Sequence, residues 1–479
     1  MYIGLDLGTS GLKALAIRED QTVVATATAP LGISRPKNGW SEQDPQDWID
    51  AAERVLDEVA AATPLADVTG IGLSGQMHGA TPLDANNEVI RPSILWNDTR
   101  SEAEAAEMDA HPSWRAISGN IVFPGFTAPK LAWMRRHEPR LFDKTRKILL
   151  PKDYLRFWLT GEHVSEMSDA AGTSWLDTGT RDWSDELLEA SGLSRDHMPR
   201  LVEGSEISAE LRPELASRWG LRKRVVVAGG AGDNAASAVG AGLIRAGEGF
   251  VSLGTSGVIF VANDAYTPAP ETAVHTFCHA LPGRWHQMGV TLSATDALNW
   301  FAALLDADAT ALTTPFGPLQ APGRTLFLPY LGGERTPLND ANIRGAFLGL
   351  EHATDRAAAT RAVLEGVSFA LRDCKGAIAA TGTEITSLLA IGGGSRSEYW
   401  LRALATVLDM PIDVPAAGEF GAALGAARLG MMAATGDGAD IAMRPAIGQT
   451  VEPDPTYADA FEAGYARYVR TRTALADLK

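Results

Sequence analysis

A two-domain α/β fold, duplicated internally and with a catalytic cleft between the copies, is what the sequence predicts. Three observations carry this. The run Leu-Gly-Thr-Ser-Gly stands at residues 7–11 and again at 253–257. Each copy follows a strand-like run and precedes another apolar one, at 12–17 and 258–262, which is the pattern of strand, tight polar turn, strand. Elsewhere, apolar strand runs end in glycine clusters that open helices, at 225–234 and at 388–395.

Composition bounds the function. The chain has 479 residues, 45% hydrophobic and 21% charged, which is ordinary globular composition with material for two or three domains. A net charge of −17 argues against a nucleic-acid partner, which would need a basic face. Cys278 and Cys374 allow at most one disulfide, and a reducing cytoplasm is the simpler setting. The N-terminus has no basic, signal-like segment, and no apolar stretch reaches the roughly 20 residues that cross a bilayer. A cytoplasmic protein without a membrane partner is therefore expected.

The first hairpin turn contains Gly8, Thr9 and Ser10, and the second Gly254, Thr255 and Ser256. Glycine permits positive φ and close backbone approach, and the hydroxyls add donors, so such a turn can wrap a phosphate. One copy alone would serve equally as a glycine-rich turn. Two copies framed alike suggest related domains, each offering a phosphate loop to one cleft. The copies differ at the preceding position, Asp6 in one and Ser252 in the other. A carboxylate suits Mg2+, which takes oxygen ligands. Lys13, on the following strand, is a lesser phosphate candidate.

Asp44-Pro45 opens a helix, with Asp44 as N-cap and Trp48, Ile49, Ala52, Val55, Leu56 and Val59 at helical spacing. The run 68–73 reads as a buried strand and delivers Gln76-Met77-His78-Gly79 at its end, where α/β proteins bind ligands. Gln76 and His78 can both donate and accept hydrogen bonds, which suits a polyhydroxylated substrate. Trp96-Asn97-Asp98-Thr99-Arg100 puts an aromatic face, an amide, a carboxylate and a cation within five residues; the plainer alternative is a capped turn with a surface ion pair.

The strand at 225–228 runs into Gly229-Gly230-Ala231-Gly232-Asp233-Asn234 and an alanine-rich helix. Asp233, in a glycine-lined turn that a substrate can approach, is the candidate base; its alternative is a helix N-cap. Gly240, Gly242, Gly247 and Gly249 mark a domain boundary, giving domains of residues 1–245 and 246–479. In the second, Leu388-Leu389-Ala390-Ile391 leads into Gly392, Gly393 and Gly394, then a helix with Trp400, Leu401, Leu404, Val407 and Leu408 on one face. This crossing admits a nucleotide; its alternative is a tight βα connection. The small-residue stretch 421–436 either packs closely or borders the adenine. His275, Cys278, His279 and His286 fit no zinc spacing, and Gly-x-Ser-x-Gly elbows and Walker-type Gly-Lys-Thr/Ser loops are absent.

These residues together resemble the FGGY family of carbohydrate kinases, which share the actin-like ATPase (ribonuclease H-like) fold. The resemblance covers nearly the whole chain. Gly4-Leu5-Asp6-Leu7-Gly8-Thr9-Ser10 is similar to the family's first phosphate loop, and Gly125-Phe126-Thr127 through Lys130-Leu131-Ala132-Trp133-Met134 to its N-terminal signature. Gln76-Met77-His78-Gly79, Trp96-Asn97-Asp98-Thr99-Arg100 and Gly232-Asp233-Asn234-Ala235-Ala236 resemble the sugar-site motifs of members that act on xylulose, and Trp40-Ser41-Glu42-Gln43-Asp44-Pro45 is family-like. The C-terminal signature begins at Gly345-Ala346-Phe347-Leu348-Gly349-Leu350 and ends at Ala362-Val363-Leu364-Glu365. It departs from the family at Ala358-Ala359, in a stretch expected to start a helix.

The resemblance implies ATP-dependent phosphorylation of D-xylulose at its C5 hydroxyl, with ATP and Mg2+. Asp233 would be the base. Asp6 and Asp233 would be the metal carboxylates, with Asp6 also acting in catalysis. Gln76, Met77, His78, Trp96, Asp98 and Asn234 would bind the sugar. Gly8, Thr9, Ser10, Lys13, Gly254, Thr255, Ser256, Gly392, Gly393 and Gly394 would bind the nucleotide. A homodimer is left open. The competing readings are a kinase of the same family acting on another ketose or polyol, and a nucleotide-switched binding protein on the same fold.

Overall fold

The computed structural model describes residues 1–416, 418 and 421–476, so the last three residues of the expected second domain lie outside it, as do Ala417, Glu419 and Phe420. Two seven-stranded sheets carry the molecule, and they repeat one topology. In the first, strands Tyr2–Leu7, Gly11–Ile17 and Val23–Pro30 run antiparallel in succession, and Gly70–Gly75 pairs in parallel with Tyr2–Leu7. Val226–Ala228 follows in parallel and Ile207–Glu210 closes that edge antiparallel. In the second, Glu248–Leu253, Gly257–Asn263 and Trp285–Thr291 form the antiparallel run. Ser387–Ile391 and Ile412–Pro415 add in parallel, and Ile447–Val451 closes antiparallel. The short repeat at the two hairpins therefore belongs to a duplication of the whole sheet.

Strand alternation explains how each face of the first sheet is covered. Ile3, Leu5, Leu7, Ile71 and Leu73 share one face and bury against the helix Pro45–Ala62, through Trp48, Ala52, Val55, Leu56 and Val59. That helix starts as its sequence demands: the Asp44 carboxylate accepts the Gln46 N–H at 3.0 Å, and Pro45 fills the first helical position. On the other face stand Gly4, Gly70 and Gly72. A side chain at Gly4 would strike the Ala423 carbonyl, at Gly70 the Gly430 carbonyl, and at Gly72 the Ala426 carbonyl. The helix Ala422–Thr435 thus lies on this glycine face at backbone distance, with Gly425 against the Ala236 carbonyl. The stretch 421–436 thus packs closely, as one of its two readings expects. Chain from the C-terminal half returns to the first sheet.

The helix Arg356–Ala379 opens at Asp355, whose carboxylate caps the Ala358 N–H at 2.8 Å. The Ala358-Ala359 departure therefore sits in a helix's first turn. A further core joins the halves: Met77, Phe126, Trp133 and Ala170 pack in one cluster with Phe250, Phe260, Phe277 and Met288. His275 and His286 lie within it, the His286 ring stacked 4.6 Å from Phe260, and burial holds both rings well below the usual histidine range. No helix among the described residues is long and apolar enough to cross a membrane.

Candidate active site

The first loop is built by register. Asp6 pairs with Lys13 on one side and Ser74 on the other. Burial raises the Asp6 carboxyl above the ordinary carboxylate range, against the pull of the Ser74 hydroxyl and the Lys13 charge. Its Oδ1 is buried and has no hydrogen-bond partner among the described residues. Asp233 opens the helix Asp233–Gly240 beyond Ala231–Gly232, which extends the pairing with Gly70–Gly75 past Ser74. Burial first, and then the Asp6 charge, push Asp233 up to about 7, while the Asn234 amides oppose the shift. Asn234 donates both its backbone N–H (2.7 Å) and its side-chain amide (2.9 Å) to Asp233 Oδ1. Gly232 is the N-cap of this helix, and Asp233 occupies its first helical position. Two carboxylates that feel each other's charge, one with an unsatisfied buried oxygen, fit Mg2+, which binds through one or two carboxylates and completes its shell with waters and substrate phosphates.

A buried charge network stands behind this turn. Lys152, Asp153, Arg156, Glu166 and Asp169 are fully buried. Lys152 Nζ lies 2.7 Å from Asp153 and 3.4 Å from both Glu166 and Asp169. Glu166 accepts the Ser168 hydroxyl at 2.8 Å, and that hydroxyl in turn accepts the Gly232 N–H at 3.0 Å. The peptide just before Asp233 is therefore anchored through side chains, which sets where the carboxylate points.

The second loop has the same sequence in another setting. The Gly254 carbonyl accepts the Thr295 N–H (2.9 Å) and hydroxyl (2.8 Å), and the Thr255 carbonyl accepts the Ala294 N–H at 2.8 Å. The loop is thus braced by the start of the helix Thr295–Leu304, leaving Thr255 exposed. Neither Gly8 nor Gly254 adopts positive φ, contrary to one reason for expecting glycine there. What their missing side chains supply is space: a Cβ at Gly254 would meet nothing closer than 3.5 Å, and at Gly8 only the Gly11 carbonyl at 3.2 Å. Gly392 is the reverse case, with φ +87° and a Cβ position 2.8 Å from the Leu253 backbone. Gly392 and Gly394 therefore pack onto the second loop, and Gly393 and Gly394 line a cavity of about 690 Å³ with Thr295, Asn299 and Ser397. That volume suits a nucleoside-sized ligand.

At the neighbouring strand end, the Gln76 N–H bonds the Leu7 carbonyl at 2.8 Å and its side-chain amide donates to Gln43 Oε1 at 2.8 Å. Gln43 Nε2 also reaches the Thr9 carbonyl at 2.7 Å, so it links the first loop to Gln76. Met77 is buried beside Gly232, its sulfur 3.0 Å from where a Cβ would stand. His78 adopts φ 69°, and its ring stacks on Phe126 at 4.5 Å. Burial and the Lys130 charge push the ring down to about 3, so it is neutral. Nδ1 lies 2.7 Å from the Gly172 carbonyl and must carry the proton, which leaves Nε2 as an acceptor. The His78 carbonyl accepts Lys130 Nζ at 2.7 Å and the Thr127 hydroxyl at 3.1 Å, which locks this strained residue.

Trp96 is 48% exposed and donates its indole N–H to the Thr9 hydroxyl at 3.0 Å, so an aromatic face stands over the first loop. Asp98 requires correction as a sugar ligand. It is 1% exposed, and its oxygens accept the Ser41 N–H at 2.6 Å and a two-pronged Arg100 contact at 2.9 and 2.6 Å. Arg100 in turn lies 3.6 Å over the Trp40 ring. Asp98 organises the loop and has no oxygen left for a substrate. Sequence reasoning did not assign Gln43 or Lys130 to the site, although both lie in motifs it had noted; nothing local marks a glutamine as a bridge between two strand ends.

Comparisons with known proteins identify the family. A model of the FGGY family of carbohydrate kinases, N-terminal domain, matches residues 1–240, and the model of its C-terminal domain matches residues 249–434. The chain is 50% identical over 450 residues to a xylulose kinase of Escherichia coli, covering 93% of each. A crystal structure of a xyloylose kinase from Brucella ovis superposes with a TM-score of 0.99 at 60% identity over 100% of both chains. The structure of xylulose kinase from Rhodospirillum rubrum gives 0.92 at 30% identity, over 100% of this chain and 99% of that one.

Proposed function

This chain belongs to the FGGY family of carbohydrate kinases, and from that premise we propose that it transfers the γ-phosphoryl of ATP to the C5 hydroxyl of D-xylulose. The observation that carries the reading is that Asp6 and the segment leading to Asp233 flank Ser74–Gly75, the end of the strand that leads to His78, one from each side, with the Asp6 charge raising the Asp233 carboxyl. A carboxyl near 7 in a glycine turn is matched to take a proton from a hydroxyl at neutral pH. His78 Nε2, as acceptor, holds a sugar hydroxyl, and Trp96 covers the sugar's apolar side. Asn234 orients the base. Asp6 and Asp233 are the residues that would hold Mg2+, and the metal when bound neutralises charge on the transferring phosphoryl. The second loop, with Thr255 and Ser256, faces the remaining phosphates, and the cavity beside Gly393 and Gly394 takes the nucleoside. Residues 1–245 thus supply the sugar site, first loop and base, and the rest supplies the second loop and nucleoside site. The thiols of Cys278 and Cys374 are buried and free, which suits a reducing cytoplasm.

The test is a panel of ketoses and polyols with ATP, following ADP release. D-Xylulose should give the highest kcat/KM. A higher value for another ketose or a polyol would reassign the substrate within the family, and nucleotide turnover indifferent to every sugar would favour a nucleotide-switched binding protein.

A further inference from the structure

One cation near the sugar site has no task in the mechanism above. Arg335 follows Glu334, and the segment is pinned to the strand Trp285–Thr291 and the residue after it. Glu334 accepts the Thr291 hydroxyl at 2.6 Å, the Leu292 N–H at 3.0 Å and the Arg335 N–H at 2.8 Å. Thr336 donates its N–H to the Val290 carbonyl at 3.0 Å and its hydroxyl to the Ala273 carbonyl at 2.9 Å. The backbone carrying Arg335 is therefore fixed from both sides.

The guanidinium lies 4.5 Å over the Phe123 ring. Phe123 is 5.5 Å from Phe126, which carries the His78 ring at 4.5 Å. Among the described residues no carboxylate pairs with this guanidinium and no acceptor takes its N–H groups. Glu334 is its nearest anion in sequence, but that carboxylate is committed to other donors, and burial pushes it up to about 7. A partly buried guanidinium without acceptors is costly, and a ligand that supplies acceptors removes the cost. Packing sets the side from which the guanidinium approaches: Phe123, beneath it, lies 5.3 Å from the His275 ring and leads through Phe126 to the His78 ring.

We propose that Arg335, contributed by the second half of the chain, is a specificity-determining residue that holds the C1 hydroxyl and C2 carbonyl oxygens of the ketose, the end remote from the transferred hydroxyl. This rests on the D-xylulose reading above. A planar fork of donors matches two vicinal oxygens, and a ketose lacking one of them leaves a charged group unpaired, the circumstance in which enzymes discriminate most strongly.

The experiment compares D-xylulose with 1-deoxy-D-xylulose, both with ATP, in the full-length wild type, R335M and R335K. Wild type should prefer D-xylulose by at least about tenfold in kcat/KM. R335M should lose most of its activity on D-xylulose through KM, lose less on the deoxy sugar, which offers the fork only its C2 oxygen, and so compress the preference to within about threefold. R335K, which keeps the charge without the fork, should fall between. Equal losses on both sugars, or a loss confined to the KM for ATP, would overturn the proposal. If R335M does not fold, the R335K preference decides, and an unchanged ratio in folded R335K overturns it. Failure of wild type to phosphorylate D-xylulose would instead sink the functional reading, a separately visible outcome.

Discussion

The two Leu-Gly-Thr-Ser-Gly loops share sequence, hairpin and place in a duplicated sheet, yet their surroundings differ in every chemically important respect. The first follows Asp6 and is tied by Gln43 and Trp96 to the strand end that carries His78. The second follows Ser252, is held by the Thr295 helix start and has Gly392 and Gly394 packed on its back. The same turn therefore serves in two settings, and the residue before it and the element behind it set what surrounds it. On the proposed reading, the first copy handles the transferred phosphoryl beside the base and the second holds the rest of the nucleotide.

The largest effect should come from the proposed base, Asp233, in the first half. D233N should lower kcat by about a hundredfold or more, with the KM for D-xylulose within about threefold. Steady-state kinetics on folded protein checks this, and near-normal turnover would leave the first loop without its partner.

Next is the position at which the copies differ. D6N should cost about a hundredfold in kcat, because it removes the carboxylate proposed to face the phosphoryl and its metal. S252A, the same position in the other copy, should cost less than about threefold, since it removes only a hydroxyl next to a backbone-held loop. Comparable losses in both variants would mean that the loops share one role.

A smaller contrast separates space from strain within the second loop's neighbourhood. G254V should raise the KM for ATP about tenfold, with a melting temperature close to wild type, since open space surrounds that position. G392A should be destabilised by about 1–3 kcal/mol, because its φ is left-handed and the added Cβ meets the Leu253 backbone. Calorimetry and ATP kinetics on both variants separate the two cases. A destabilised G254V would show that the glycine serves the fold.

The mildest expectation concerns pH. Asp233 must be ionised to accept a proton, and its carboxyl is pushed up to about 7 by burial and Asp6. Sugar kcat/KM should therefore rise with pH through about 7 and level off above it. Because the Asp6 charge contributes to the shift, the D6N inflection should move to lower pH. An inflection unmoved in D6N would mean that burial alone sets it.

Much of this was legible in the sequence because it is local. Asp44-Pro45 caps its helix as expected, since capping depends on residues within one turn. The repeat predicted a duplication, and the sheets bear it out because hairpin turns depend on their own four or five residues. Asp98 was misjudged for the converse reason: a carboxylate beside an aromatic and an arginine can face a substrate or satisfy its own loop, and only the positions of Ser41 and Arg100 settle which. The helix Ala422–Thr435 was recognisable as small and close-packing, but its partner, the glycine face of a sheet several hundred residues earlier, was not.

By itself, then, the sequence determined the elements, the duplicated turns and the polar residue types placed at the strand ends, because backbone preference and residue type act over a few neighbours. The tertiary structure alone decided which of those side chains keep a free valence. Among the described residues, Asp6 holds an unpartnered oxygen, Asp98 holds none, His78 is a neutral acceptor and the Arg335 guanidinium makes no ion-pair contact with a carboxylate. Burial and partner supply are sums over atoms brought from distant parts of the chain, so they exist only once the chain is packed.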